Sequence, residues 1–282
     1  MRKRVDAPLA WIGLLLIALS CGCSSEGPSQ ARLHLTGSST LAPMITEIAN
    51  RFEQQHPGAR IDVQSGGSTQ GIRDAQQGLV DLGMSSRSLK PDEEENLQVV
   101  TVAYDGVAFV VHRDNPVSSL NRDQLRDIFS GNITRWSEVG GGSGPIVVAN
   151  RAEGRSELTL VSDYLDLAPN EFRATIIDGE TQQSIKSVVT NEQVIGYTSM
   201  GAAQFAAEQG SPIKLLPLEG VAASPASIQA ESYPLARPLI LLQSDTASEL
   251  AEAFVKFVLS ESNQDVTRNL GYVPIPPATR MD

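Results

Sequence analysis

Residues 33–52 read LHLTGSSTLAPMITEIANRF, and they hold a strand pattern, a polar loop and a helix pattern in succession. The first leucines alternate with polar neighbours, as they do in a strand, and from Leu41 to Phe52 the apolar residues recur at helical spacing. Between them, Gly37 to Thr40 supplies small and hydroxyl-bearing residues that favour the start of a helix. The stretch predicts a strand-loop-helix unit that presents hydroxyl groups where its helix begins.

The same order recurs along the chain, which is typical of an α/β sheet protein. Strand patterns lie at 61–63, 79–84 and 146–149, and four polar loops follow strands, at residues 37–40, 64–71, 85–88 and 150–157. Ligands bind at the carboxyl edge of parallel strands. We therefore expect the four loops to meet at one site.

A longer apolar run, Val99 to Val111, is interrupted only around Asp105. Its length predicts a buried strand that crosses between two lobes.

Composition limits the classes of function. The chain has 282 residues, 41% of them hydrophobic, with 22 basic and 33 acidic residues and a formal net charge of -11. A chain of this length and hydrophobic content can form a hydrophobic core, which argues against a disordered protein. The acidic balance argues against a nucleic-acid surface, so any bound anion must be held by local groups.

The first 23 residues predict a lipoprotein-type signal peptide. A basic opening precedes an apolar run from Leu9 to Leu19, which is shorter than the roughly 20 residues of a membrane span. Cys21 and Cys23 each follow a small residue, so either can be the lipidated residue. A simple secreted protein is the alternative. Residues 24–31 are expected to form a tether, and the remaining chain has no cysteine for a disulfide or a thiolate metal site.

The four loops suit one chemistry. Helix-start amides and hydroxyl groups donate to oxygen atoms, and an arginine fork binds a tetrahedral oxyanion. Taken singly, such residues are usually caps and turns. Together they predict a cage for phosphate or a related oxyanion.

In addition, the sequence resembles the substrate-binding proteins of bacterial phosphate ABC importers (the PstS-like family) from about residue 32 to 274. The resemblance is carried by the collinear blocks TGSSTLAP (36–43), HPG (56–58), SGGSTQG (65–71), DLGMSSR (81–87), DNPV (114–117), IFSG (128–131), ITRW (133–136), IGY (195–197), YPLARPL (233–239) and GYVP (271–274).

This resemblance implies a type II periplasmic-binding-protein fold with two lobes and a ligand cleft. Lobe I is expected at 32–110 plus 236–282, and lobe II at 111–235. The implied function is capture of inorganic phosphate outside the cytoplasm and its delivery to the permease subunits of an importer, by a monomer held at the membrane by its lipid.

The expected phosphate contacts combine the family positions with the loop chemistry. They are Ser38, Ser39, Thr40, Ser68, Ser86, Arg87, Arg151 and Ser156, with Glu153 expected to orient Arg151.

The chain departs from the family pattern at two points. Members commonly have Gly-Ser-Gly-Thr where this chain has Gly154, Arg155, Ser156 and Glu157. Some members also carry an aspartate at the position of Ser86, to accept the proton of hydrogen phosphate.

Other functions fit less well. A serine hydrolase needs a nearby histidine, and only His112 of the three histidines is a plausible base, without a Gly-x-Ser-x-Gly motif. We therefore expect no enzyme, no metal site and no cofactor. The open alternatives are an exported sensor or adhesion module on the same fold, and a receptor for sulfate, molybdate or tungstate.

Overall fold

The computed structural model describes residues 31–244 and 247–276. Cys21 and Cys23, the signal peptide and nearly all of the expected tether lie outside these residues; Ala31 is the first residue of a strand. None of the helices in the described part of the chain has the length and apolarity needed to cross a bilayer.

Strands and helices alternate along most of the chain. The strands are β1 (Ala31–Gly37), β2 (Ala59–Ser65), β3 (Leu82–Ser85), β4 (Leu97–His112), β5 (Val147–Arg151), β6 (Ile176–Asp178), β7 (Val194–Ser199), β8 (Ile213–Leu215), β9 (Ala236–Ser244) and β10 (Val273–Pro274). The helices are α1 (Ala42–Gln55), α2 (Ser68–Gln76), α3 (Arg122–Ser130), α4 (Ser156–Leu165), α5 (Thr181–Val189), α6 (Met200–Glu208), α7 (Pro225–Gln229), α8 (Glu249–Leu259) and α9 (Gln264–Asn269).

The sheet is mixed. Its strand order is β2-β1-β3-β9-β4-β7-β5-β6, and β8 and β10 also pair with β4. The pairs of β1 with β2 and β3, and of β5 with β6 and β7, are parallel, whereas β9 and β4 pair antiparallel with their neighbours. The predicted α/β class is confirmed. The third strand begins at Leu82 rather than Leu79, because Gly78 has a positive φ and Leu79 is exposed in a turn.

Strand β4 belongs to both halves of the molecule. Its residues up to Gly106 pair with β9, and from Val107 onward they pair with β7. Val107 and Phe109 pack in a second core, apart from the core that contains Leu239. This packing favours a lobe boundary at Gly106 instead of residue 110. The chain is expected to re-enter lobe I at residue 236. This position lies between Leu235, which packs in the second core, and Leu239, which packs in the first.

Helix α2 lies directly on the ends of β1 and β3. A Cβ on Gly71 would stand 2.6 Å from the Met84 carbonyl oxygen and 2.7 Å from the Gly37 Cα. Glycine at 71 therefore allows the backbones to touch, and this contact brings the loop before α2 against the loops that follow β1 and β3.

We expect Gly71→Ala to lower the free energy of unfolding by about 1–3 kcal/mol, because backbone would have to shift to admit the methyl group. Urea denaturation measures the change. Gly58→Ala is the matched control, because nothing lies within 4 Å of a Cβ there. Equal stability of the two variants would contradict the packing argument.

Candidate functional site

Four serine hydroxyls meet between the lobes, one from each polar loop. The Ser86 Oγ lies 2.9 Å from the Ser38 Oγ, 3.3 Å from the Ser68 Oγ and 2.7 Å from the Ser156 Oγ. All four residues are buried. The structure thus brings together loops that lie far apart in the sequence, since Ser156 comes 118 positions after Ser38. We call these four residues the hydroxyl cluster.

The local backbone explains how the loops present these groups. Ser38 Oγ accepts hydrogen bonds from the backbone N–H groups of Thr40 and Leu41, both at 3.2 Å, and so stabilises the turn that leads into α1. Ser68 and Ser156 are the first residues of α2 and α4. Because helix N-termini carry partial positive charge, their position favours an anion at this point.

Ser39 and Thr40 extend the site toward the second lobe. The Ser39 Oγ lies 3.3 Å from the Thr181 Oγ1, and the Thr40 Oγ1 donates to Glu157 Oε1 at 3.0 Å. These contacts join the start of α1 to α5 and α4. Both residues therefore lie at the contact between the lobes.

Arg237 and Asp105 form an ion pair in the floor of the site. The Arg237 Nη2 lies 2.8 Å from the Asp105 Oδ2, and its Nη1 donates to the Ser156 Oγ at 2.9 Å. Sequence reasoning missed both residues. The signal was available, because a charged residue inside an apolar strand has to be paired.

Glu157 is an ionised carboxylate enclosed by donors. Its Oε1 lies 3.2 Å from the Arg237 Nη2, and its Oε2 lies 3.7 Å from the Arg151 Nη2. Burial by itself raises the pKa of Glu157, but the charges of the two arginines outweigh that effect and lower the pKa to about 2. The acidic residue that departs from the family pattern therefore lies inside the site.

Arg151 is only 1% exposed, yet it keeps unused donors. Its Nη1 donates to the Glu180 carbonyl at 2.7 Å and to the Ser184 Oγ at 2.6 Å. Its Nε and Nη2 have no hydrogen-bond partner. A buried guanidinium with free N–H groups fits an oxyanion ligand, since buried donors are otherwise paired.

Two of the expected residues have other surroundings. The terminal nitrogens of Arg87 lie 2.6 and 2.8 Å from the carboxylate oxygens of Glu93, and this hydrogen bonding lowers the pKa of Glu93. Glu153 is exposed, and the carboxylate that faces Arg151 is that of Glu157. The geometry therefore gives Arg87 a carboxylate partner, and it places the carboxylate of Glu157, not that of Glu153, opposite Arg151.

Arg155 lies beside the lobe contact. Its Nη2 is 3.2 Å from the Glu180 Oε1, whose carboxylate also accepts from the Ser65 hydroxyl at 3.2 Å. In addition, the Thr69 N–H donates to the Gly154 carbonyl at 3.2 Å. The fourth loop is thus joined to the first lobe by its backbone as well as its side chains.

One group in the described ranges has metal-ligand residue types. His112, Asp114 and Glu192 each place one ligand atom within 4.8 Å of the others. The His112 Nδ1 accepts the Asp114 backbone N–H at 3.3 Å, and the Lys214 ammonium donates to the nearby Asn115 carbonyl. A used lone pair and a neighbouring cation both disfavour a metal ion there.

The fold and the site together define a two-lobed binding protein whose cleft is lined by hydroxyl groups and buried arginines. Comparison with known sequences agrees with this class. The sequence model of the PBP superfamily domain matches residues 24–262, and the chain belongs to that superfamily.

Several relatives are named as phosphate-binding proteins. The chain is 26% identical to the phosphate-binding protein PstS of Bacillus subtilis, over 97% of this chain and 95% of the relative. A solved ABC-type phosphate transport receptor of Vibrio cholerae is 30% identical, with a TM-score of 0.72, over 86% of this chain and 100% of that one.

A protein of Clostridium perfringens, assigned as a phosphate ABC transporter substrate-binding protein and solved with bound phosphate, has a TM-score of 0.80 and 29% identity. The structural alignment covers 87% of this chain and 100% of the Clostridium perfringens chain.

Stability should depend on the ionisation of Glu157. Because folding lowers its pKa from 4.5 to about 2, the ionised carboxylate stabilises the fold above pH 4.5, and this contribution is lost as the pH falls toward about 2. We expect the stability difference between the wild-type protein and Glu157→Gln to shrink across that window. Urea unfolding at a series of pH values measures it, and a constant difference would contradict the assignment.

Proposed function

We propose that this protein is an extracytoplasmic receptor that binds inorganic phosphate between its lobes and delivers it to an ABC-type importer. The observation that carries the proposal is the buried Arg151, whose Nε and Nη2 make no hydrogen bond and whose Nη2 faces Glu157, the residue that follows Ser156 of the hydroxyl cluster. The names of the relatives support phosphate as the anion. Binding, without a chemical reaction, is the activity that these groups support.

The proposed contacts divide between the lobes. Ser38, Ser68 and Ser86 would donate from the first lobe, and Arg151 and Ser156 from the second. Hydroxyl hydrogens rotate to fit oxygen atoms, so groups that now bond to one another can turn toward a ligand.

Lobe closure is the proposed mechanism of recognition. Only a closed arrangement places both sets of donors around one anion, so phosphate would shift the population toward it. Permease subunits of the importer would then recognise the closed shape. The second lobe is proposed to begin near Gly106 and to end near residue 235.

The signal-peptide pattern in residues 1–23 supports a proposal for where the protein is located. We propose that the signal peptide directs export and that Cys23 or Cys21 is acylated, which holds the receptor at the outer face of a membrane as a monomer.

Calorimetric titration of the protein, expressed from its full sequence and stripped of ligand, tests the proposal. Saturable heat with phosphate is the expected result. Absence of heat with phosphate would overturn it and favour a sensor or adhesion module. Heat with sulfate, molybdate or tungstate in place of phosphate would identify a receptor for another oxyanion.

Loss of the Arg151 side chain should weaken phosphate binding. We expect Arg151→Met to lower phosphate affinity by roughly 10- to 100-fold, because a charge-assisted hydrogen bond to a buried anion is lost. Arg113→Ala is the control, because the guanidinium of this exposed residue donates to the Ser211 carbonyl in the second lobe. Unchanged affinity of the Arg151 variant in the same titration would remove this residue from the site.

A further inference from the structure

Glu157 takes up donors that the proposed ligand also needs. Its Oε1 accepts from the Thr40 Oγ1 at 3.0 Å and from Arg237, and its Oε2 lies 3.4 Å from the Ser156 Oγ. Ser156 is a proposed phosphate contact and Thr40 an expected one, and the Nη2 of Arg151, another proposed contact, faces the same carboxylate at 3.7 Å without a hydrogen bond. A hydroxyl has one hydrogen to donate, so a bond to the carboxylate is a bond withheld from another anion.

The charges around this carboxylate already balance. Arg151 and Arg237 face Glu157 and Asp105, and all four are at most 2% exposed. Close to them, Arg87 pairs with Glu93 and Arg155 with Glu180. A bound dianion would therefore meet an ionised carboxylate with no spare cation among these pairs, and like charges at short range in a buried site repel strongly.

Neutral groups complete the surroundings. Tyr197 and Tyr272 feel the charge of Glu157, and burial raises the pKa of both phenols, so they stay protonated at neutral pH. Asp178 also interacts with the charge of Arg151, and burial raises the pKa of its carboxyl. Phosphate itself changes its charge near neutral pH, through its second ionisation.

We infer that Glu157 determines which ionic form the cleft accepts: it competes for the donors of the site and thereby favours singly charged oxyanions over dianions. This inference rests on the proposed function. It makes the glutamate an internal competitor of the ligand, whose removal strengthens binding.

The test is Glu157→Gln, which keeps the shape of the side chain and removes its charge. We expect its phosphate affinity at about pH 8.5, where the dianion prevails, to exceed that of the wild-type protein by roughly tenfold or more, with a smaller gain at about pH 5.5. Titration calorimetry measures both. Equal or weaker binding by the variant at the higher pH would overturn the inference.

Glu53→Gln is the matched control, because Glu53 pairs with Arg60 on the surface of the first lobe. Its affinity should equal that of the wild-type protein, and a gain as large as that of Glu157→Gln would overturn the inference. Sulfate, a dianion at both pH values, should bind the Glu157 variant more tightly than the wild-type protein, and failure to do so would contradict it.

The pH dependence of phosphate affinity in the wild-type protein is a further test, and it needs no variant. This affinity should fall as the pH rises through the second ionisation of phosphate, and an affinity that is constant or rises would overturn the inference. Absence of phosphate binding by both the wild-type protein and the variant would instead refute the proposed function.

Discussion

The buried charge of Arg237 is the constraint on which the site depends. Its guanidinium lies in strand β9 of the first lobe and is 2% exposed, so it has to be matched by negative charge. Asp105 supplies one partner from the shared strand, and Glu157 supplies the other from the second lobe. The lobes are therefore held in register by a buried ion pair between Arg237 and Glu157.

The site combines neutral hydroxyl donors with buried charges. Three of the four hydroxyls of the cluster come from the first lobe, whereas both lobes supply charge, Arg237 from the first and Arg151 and Glu157 from the second. Neutral donors adapt to any oxygen ligand, so they give the cleft its chemical class. The buried charges decide how much negative charge a ligand can bring with it.

The sequence predicted those parts of the molecule that depend on local pattern. The α/β class, the crossing strand and the loops with Ser38, Ser68, Ser86 and Ser156 follow from periodicity and from turn residues. Arg87 and Arg237 show what local sequence pattern cannot predict. An arginine beside a serine-rich loop predicts a ligand contact, and the local sequence does not indicate that Glu93, six residues later, pairs with the terminal nitrogens of Arg87. Arg237 lies 80 residues from Glu157, and only the folded chain brings such partners together.

The position of β9 affects the order in which the protein can assemble. This strand lies between β3 and β4, yet it is made from residues 236–244, after the entire second lobe. A growing chain can therefore assemble the second core from Val107 to Leu235, apart from Val273, while β3 and β4 still lack the strand that lies between them. The half of the protein that is synthesised first thus depends on a strand that is synthesised after the other half.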